Sequence, residues 1–341
     1  MLMPPHHHLV LLLSLMAACD QGAQAPPDDD AADPTPQARL AIDDGMLAPG
    51  GEWERCFFLK LDNDLPLYVE RIEAHASGMH HLVVQATTGD FADGSKPCFS
   101  APQELMDVGE PPRVLFSMAT GAKTAELAFP EGHGFRIEPH QQLMVDFHVI
   151  NFRPEEVPAH IDVALFGTPE GEGPSPEAIG YAIFSNTDVE LPAGEPGEVT
   201  MTCTFDVDVD FVTLASHMHM LGVSSEVRFA GGARDGEVIH TSGAWDEGGM
   251  TVFDPPLRVA AGDALEITCR YADNDSATPI VFGASANDEM CQVEGYILGE
   301  DTVLGGTAPT IGIERCMVIR LDDSNKQLYR QIIDVFTPSA D

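Results

Sequence analysis

The chain has 341 residues, with 17 Lys and Arg against 55 Asp and Glu, giving a formal net charge of −38 at pH 7. That balance excludes nucleic acid as a partner and excludes electrostatic attachment to anionic lipid, since both need a basic surface. Hydrophobic residues make up 44% of the chain, enough for one large or two medium domains with true cores.

Residues 1–18 read as an export signal. A short polar stretch with His6, His7 and His8 precedes the apolar run Leu9–Ala18. Leu15-Met16-Ala17-Ala18-Cys19 resembles a bacterial lipobox, so Cys19 is the expected lipidation site, with ordinary secretion as the alternative. Residues 19–45, with Asp28, Asp29, Asp30 and Asp33 among Ala, Gln and Pro, are too polar to bury and read as a disordered tether. The expected location is the bacterial cell envelope, with membrane contact only through the lipid anchor. No later stretch is long and apolar enough to span a bilayer. Setting Cys19 aside leaves Cys56, Cys98, Cys203, Cys269, Cys291 and Cys316, an even number that in an exported chain points to three disulfides of open connectivity.

From about residue 54 the chain is a series of short strand-forming runs separated by turn residues. Arg55–Leu61, Leu67–Ala74, His81–Ala86, Arg113–Ala119, Gln142–Ile150 and Ile161–Phe166 fill residues 46–186. Gly180–Ser185 lies between two Gly- and Pro-rich stretches, which put a domain boundary near residue 186. Strands resume over 187–341: Val199–Phe205, Phe211–Met218, Ser225–Phe229, Glu237–Thr241, Thr251–Val259, Ala264–Tyr271, Ile280–Ala284, Cys291–Ile297 and Arg315–Leu321. Only Lys326–Phe336 carries helical spacing. The fold class is all-β, an antiparallel sandwich.

Metal-ligand residue types recur in this frame. In an extended strand, His217 and His219 of Ser216-His217-Met218-His219-Met220 share one face, while Met218 and Met220 point into the core. Met290, in Asp288-Glu289-Met290-Cys291, is the natural third donor, and two imidazoles with a thioether suit copper. In the first half, His80 and His81 are adjacent. They reach one ion only at an irregular strand start, which Ser77-Gly78 can provide; with His148 they would suit copper or zinc. Asp146, two residues before His148, is placed to orient it. His75, His133, His140, His160 and His240 read as surface or supporting residues, and Trp245 as packing.

The joint order of these pieces resembles the copper type II, ascorbate-dependent monooxygenases, over roughly residues 50–320. Cys269-Arg270-Tyr271, Phe282-Gly283 and Asp288-Glu289-Met290-Cys291 are similar to that family's C-x-Y…G…(D/E)-E-M-C signature. Pro256-Leu257 through Gly262-Asp263 matches the strand and turn before it. His217-Met218-His219 fits its H-x-H, Met79-His80-His81 its (M/V)-H-H, and Phe129-Pro130 with Phe147-His148 its third-histidine region.

The resemblance implies two tandem antiparallel jelly-roll β-sandwich domains, each holding one copper ion. It assigns His80, His81 and His148 to an electron-transfer copper, and His217, His219 and Met290 to the copper where dioxygen is used. It pairs Cys269 with Cys291 and Cys203 with Cys316, leaving Cys56 with Cys98. The implied reaction is hydroxylation of an activated C–H bond of a small molecule by dioxygen, with ascorbate or a similar one-electron reductant. Departures from the family's peptide-amidating members fall at Ala215, Gln292 and Glu294, where those members hold a substrate carboxylate; an acid there would repel one. Peptidylglycine is therefore not the expected substrate, and an amine pairing with Glu294, Glu289 or Asp288 is conceivable. The competing readings are a non-catalytic copper-binding envelope lipoprotein, serving as store, carrier or sensor, and an interaction module with incidental histidines.

Overall fold

Alternation of buried and exposed residues writes most of the strands; in β10 (Val157–Pro169) the residues from Val157 to Leu165 alternate between buried and more exposed positions. The computed structural model describes residues 35–77, 79–87, 89, 91–92, 94–96, 113–118, 124–151, 153–245, 249–283, 287–309 and 312–320. Before β10 come β1 (Ala38–Leu47), β2 (Glu52–Lys60), β3 (Leu67–Ser77), β4 (Met79–Ala86) and β5 (Gly94–Lys96). They are followed by β6 (Arg113–Met118), β7 (Thr124–Ala128), β8 (His133–Ile137) and β9 (Gln142–Ile150). One sheet runs β1-β10-β3, with β7 and β8 both along the far edge of β3; the other runs β5-β2-β9-β4-β6. Val69 and Ile72 from the first sheet and Leu82, Val84 and Phe147 from the second are fully buried in one core.

The second half opens with β11 (Glu177–Asn186), β12 (Glu190–Leu191), β13 (Gly197–Phe205), β14 (Val209–His217) and β15 (Gly222–Phe229). It continues with β16 (Val238–Ser242), β17 (Met250–Val259), β18 (Ala264–Tyr271), β19 (Ile280–Val281), β20 (Cys291–Leu298), β21 (Thr302–Ala308) and β22 (Ile313–Arg320). One layer is β11-β20-β14-β17 and the other β13-β18-β15-β16. The β21–β22 hairpin joins them, β21 lying parallel to β11 and β22 parallel to β13. Phe184, Phe205 and Phe211 meet in the core at centroid separations of 5.7 to 6.2 Å. The connectivity repeats. With β12, β19 and the β21–β22 hairpin set aside, the first strand of each half pairs with the last and that with the third (β1-β10-β3; β11-β20-β14), while the second pairs through a late strand with the fourth (β2-β9-β4; β13-β18-β15).

Three differences from the sequence reading have clear causes. The tether expected over 19–45 ends sooner, because Ala38–Leu47 is β1: Leu40 and Ile42 are buried between exposed Arg39, Ala41 and Asp43, and the strand pairs with β10. β11 lies before the expected boundary at 186 yet pairs along its length with β20 and β21, touching β8 only at Glu177 and Ala178. By its pairing, β11 thus belongs with the strands that follow it. Strands β7, β8 and β21 are too short or Gly-rich to declare themselves by pattern. The helical spacing at 326–336, Cys19 and Cys98 lie outside the described residues.

Cys203–Cys316 and Cys269–Cys291 are bonded, with Cα separations of 4.5 and 5.8 Å, as the resemblance implies. Cys56 is also disulfide-bonded. Closing loops of 113 and 22 residues, the two bonds stabilise the fold by about 5 and 3 kcal/mol in the chain-entropy picture.

Candidate metal centre

β14 ends at His217, and the chain then turns back into β15 through Met218-His219-Met220-Leu221. The turn is closed by Gly222 N–H donating to the His219 carbonyl at 2.9 Å. Gly222 is required there, since a Cβ would sit 2.6 Å from that of Met218. His219 therefore lies beyond the strand, not on its face as extended spacing predicts. Met218 is buried, but Met220 is 42% exposed at the turn and is not core.

What brings the imidazoles together is tertiary. The Glu289 carboxylate, 1% exposed, accepts hydrogen bonds from the backbone N–H of His219 (3.0 Å), Leu221 (2.8 Å) and Met290 (3.3 Å). One side chain thus staples the His217–Leu221 turn to the Met290 segment. The two rings stand at 5.3 Å between centroids and nearly perpendicular. Imidazole nitrogens about 2 Å from a shared ion would put their ring centroids roughly 5 Å apart, so the pair fits. His219 Nδ1 lies 3.0 Å from the Asp288 carbonyl, and donating to it fixes the tautomer that carries its lone pair on Nε2. Strand register sets His217 opposite Gln292, two residues past Met290. Tyr271 O–H donates to the Met290 carbonyl at 2.8 Å, and Cys291 beside it is bonded to Cys269 on β18. Burial pushes the Tyr271 phenol up, so it stays a donor. Burial likewise pushes the Glu289 carboxyl up to about 7, against its three backbone amides, which favour the ionised form.

In the first half, His148 on β9 is buried and its Nε2 lies 2.9 Å from Glu52 Oε1, placing the lone pair on Nδ1 if that contact is a donated hydrogen bond. Register sets His81 opposite His148, and the β4–β9 ladder slips between Met79 and His81, so His80 falls within the irregularity that adjacent ligands would need. The side chains of His80 and His81 lie outside the described atoms. Among the described residues no three His, Cys, Asp or Glu side chains converge on one point. The second-half set reaches three donors only by counting the Met290 thioether.

Several site expectations change. Asp146 is bonded to Glu54, and burial first, then Glu54, hold its carboxyl well above the usual range; the carboxylate on His148 is Glu52. Strand pairing alone would not have found this, since β2 sets Glu54 opposite His148 and the Glu52 contact is diagonal. Glu289 is spent on backbone amides and is not open to a substrate cation. Glu294 accepts from Ser117 Oγ at 2.8 Å and from the Tyr181 hydroxyl. Trp245 packs against the second core, as expected.

Of the two readings given for His240, surface or supporting, the second holds: it is 2% exposed, with Nδ1 2.9 Å from Thr251 Oγ1 and Nε2 3.0 Å from Ser216 Oγ, next to His217. Burial pushes its imidazole down to about 4. The fold favours the neutral ring, so this contribution is intact above the unfolded value near 6.5 and is lost as pH falls toward 4. Between pH 7 and 4.5 the native protein should lose about 2 kcal/mol more stability than His240→Gln, as read by urea denaturation. An equal acid loss in both proteins would contradict the assignment.

Residues 185–298 match the family model for the copper type II ascorbate-dependent monooxygenase, C-terminal domain. The match takes in β14, the His217–Leu221 turn, Glu289, Met290 and the Cys269–Cys291 bond, and it supports the resemblance read from the sequence. No curated protein matches the chain. Among solved structures, the PBCV-1 VP54 crystal structure fitted into a reconstruction of the virophage Sputnik is 8% identical, covers 84% of this chain and 94% of its own, and has a TM-score of 0.27. The tandem CBM22 domains of Paenibacillus barcinonensis Xyn10C are 11% identical, with coverages of 78% and 98% and a TM-score of 0.16. Infectious bursal disease virus VP2 is 10% identical, with coverages of 89% and 91% and a TM-score of 0.15. Likenesses this weak carry no argument.

Proposed function

We propose that the chain is a copper-dependent monooxygenase that hydroxylates an activated C–H bond of a small molecule, using dioxygen and a one-electron reductant such as ascorbate. The observation that carries this reading is the His217–His219 ring pair, joined by Glu289 to the Met290 segment inside the region that matches the family. His217, His219 and Met290 would hold one copper ion, and His80, His81 and His148 a second. A bound copper would supply one-electron redox chemistry, and the thioether donor favours the reduced ion. The residues around it orient and exclude: Asp288 and Glu52 fix the ligand tautomers, and the apolar second core closes behind Met218. The repeated strand order supports two tandem jelly rolls. Lipidation at Cys19, a tether up to β1 and residence in the bacterial envelope complete the reading.

Ala215 and Gln292 offer no positive charge to a carboxylate-bearing substrate such as a peptidylglycine, which disfavours it. Loading the purified protein with copper and following ascorbate-driven oxygen uptake across candidate substrates tests the proposal. Two bound ions and substrate-coupled uptake would support it. Copper without uptake for any substrate would favour the non-catalytic binding protein, and no copper would sink both.

A further inference from the structure

The two halves meet along a regular seam. On β20, Tyr296 O–H donates to the Leu115 carbonyl of β6 at 2.9 Å. Two residues back along β20, Glu294 accepts from Ser117 Oγ, two residues further along β6, at 2.8 Å. The strands therefore run antiparallel across the seam, joined through side chains in place of backbone bonds. Tyr181 of β11 donates to the other Glu294 oxygen. Phe129 and Tyr181 pack on the Tyr296 ring at 4.9 and 5.9 Å, and Tyr296 is buried. Burial, and then the nearby Glu294, hold its phenol well above the usual range, so it remains a donor.

Beyond Glu294 and Ser117 the seam points to both ligand sets. On the β20 side the next residue on that face is Gln292, set opposite His217, and two further back is Met290. On the other side Ser117 is set opposite Val83 of β4, two residues from His81, which is itself opposite His148. Each step of two residues along a strand is about 7 Å. Both candidate centres thus lie at one end of the seam, and the Glu294–Ser117 bond is the last described contact before them.

We infer that Glu294 is a positioning residue: tied to Ser117 and Tyr181, it is the strut that fixes the separation of the two candidate copper centres. The inference rests on the proposed two-copper reading, though the strut itself does not. A carboxylate suits the part, since its two oxygens accept from both halves at once and bridge β6 and β20, which share no backbone ladder; the ladder between the halves, β8 with β11, is confined to Glu177 and Ala178. Each hydroxyl would otherwise face the junction without its acceptor.

The test uses the full chain with Ser117→Ala, Glu294→Ala and Glu294→Gln. In copper(II)-loaded protein, the ion-to-ion distance distribution from pulsed electron paramagnetic resonance should be narrow in the native protein. It should broaden or lengthen in Glu294→Ala and Ser117→Ala, with two ions still bound, and be partly restored in Glu294→Gln, which keeps an acceptor oxygen. Amide hydrogen exchange in β6 and β20 should rise at least about tenfold in the same two variants while the β13–β18 ladder stays protected. Unchanged distances and unchanged seam exchange in both alanine variants would overturn the strut. Binding of fewer than two ions would count against the two-copper reading, and the exchange data would still decide the strut.

Discussion

Replacing Met290 by Ile should lower substrate-coupled oxygen uptake by more than about 100-fold while leaving one copper per chain on the first-half histidines. Isoleucine matches methionine in bulk and polarity, so half-buried Met290 can be exchanged with little change in packing. What is lost is the sulfur, the soft donor that favours the reduced ion beside two imidazoles. Losing even a group that only orients a ligand costs about 10- to 100-fold in affinity or activity, and loss of a donor exceeds that. Copper stoichiometry separates the outcomes. Uptake that survives at the native rate would remove Met290 from the site, and loss of both ions would mean the substitution had unfolded the protein.

Glu289→Ala should cost about 3–5 kcal/mol of stability and also weaken copper binding at the His217–His219 pair. The residue is buried, and removing it leaves the backbone N–H groups of His219, Leu221 and Met290 without their acceptor. A buried donor left unsatisfied costs roughly 1–3 kcal/mol, less where water enters. The turn would then be free to separate from the Met290 segment, although the Cys269–Cys291 bond still holds that segment to β18. Glu289→Gln keeps one acceptor oxygen but turns an amide group toward backbone donors, so it should fall between native and Ala. Urea midpoints with copper titrations on the three proteins measure both effects. A stability change under about 1 kcal/mol in Glu289→Ala would mean the staple is not what holds the turn.

Much of the fold was legible because strand burial has a period of two and turns have their own chemistry. Gln142–Ile150 and Ala264–Tyr271 emerge with their expected limits. β1 and β21 stayed hidden: the first is broken by Asp43-Asp44-Gly45 and follows a polar, proline-rich stretch, and the second carries a Gly-Gly pair at its centre. The histidines at 217 and 219, with Met290 beyond them, were visible as residue types, and the cysteine pairs 203–316 and 269–291 followed from resemblance.

By itself, then, the sequence determined which donors exist, their order, and the strands that carry them. Only the tertiary structure decided how they are aimed. The second histidine sits on a turn and not on a strand face, because a buried carboxylate 70 residues away binds its backbone. Glu52, not Asp146, meets His148, and Glu294 belongs to the junction between halves. The physical reason is the range of the interactions. Side-chain alternation is a local property of the chain, whereas a carboxylate's partners are set by strand register and by which sheets face each other, and these are fixed only when distant segments pack.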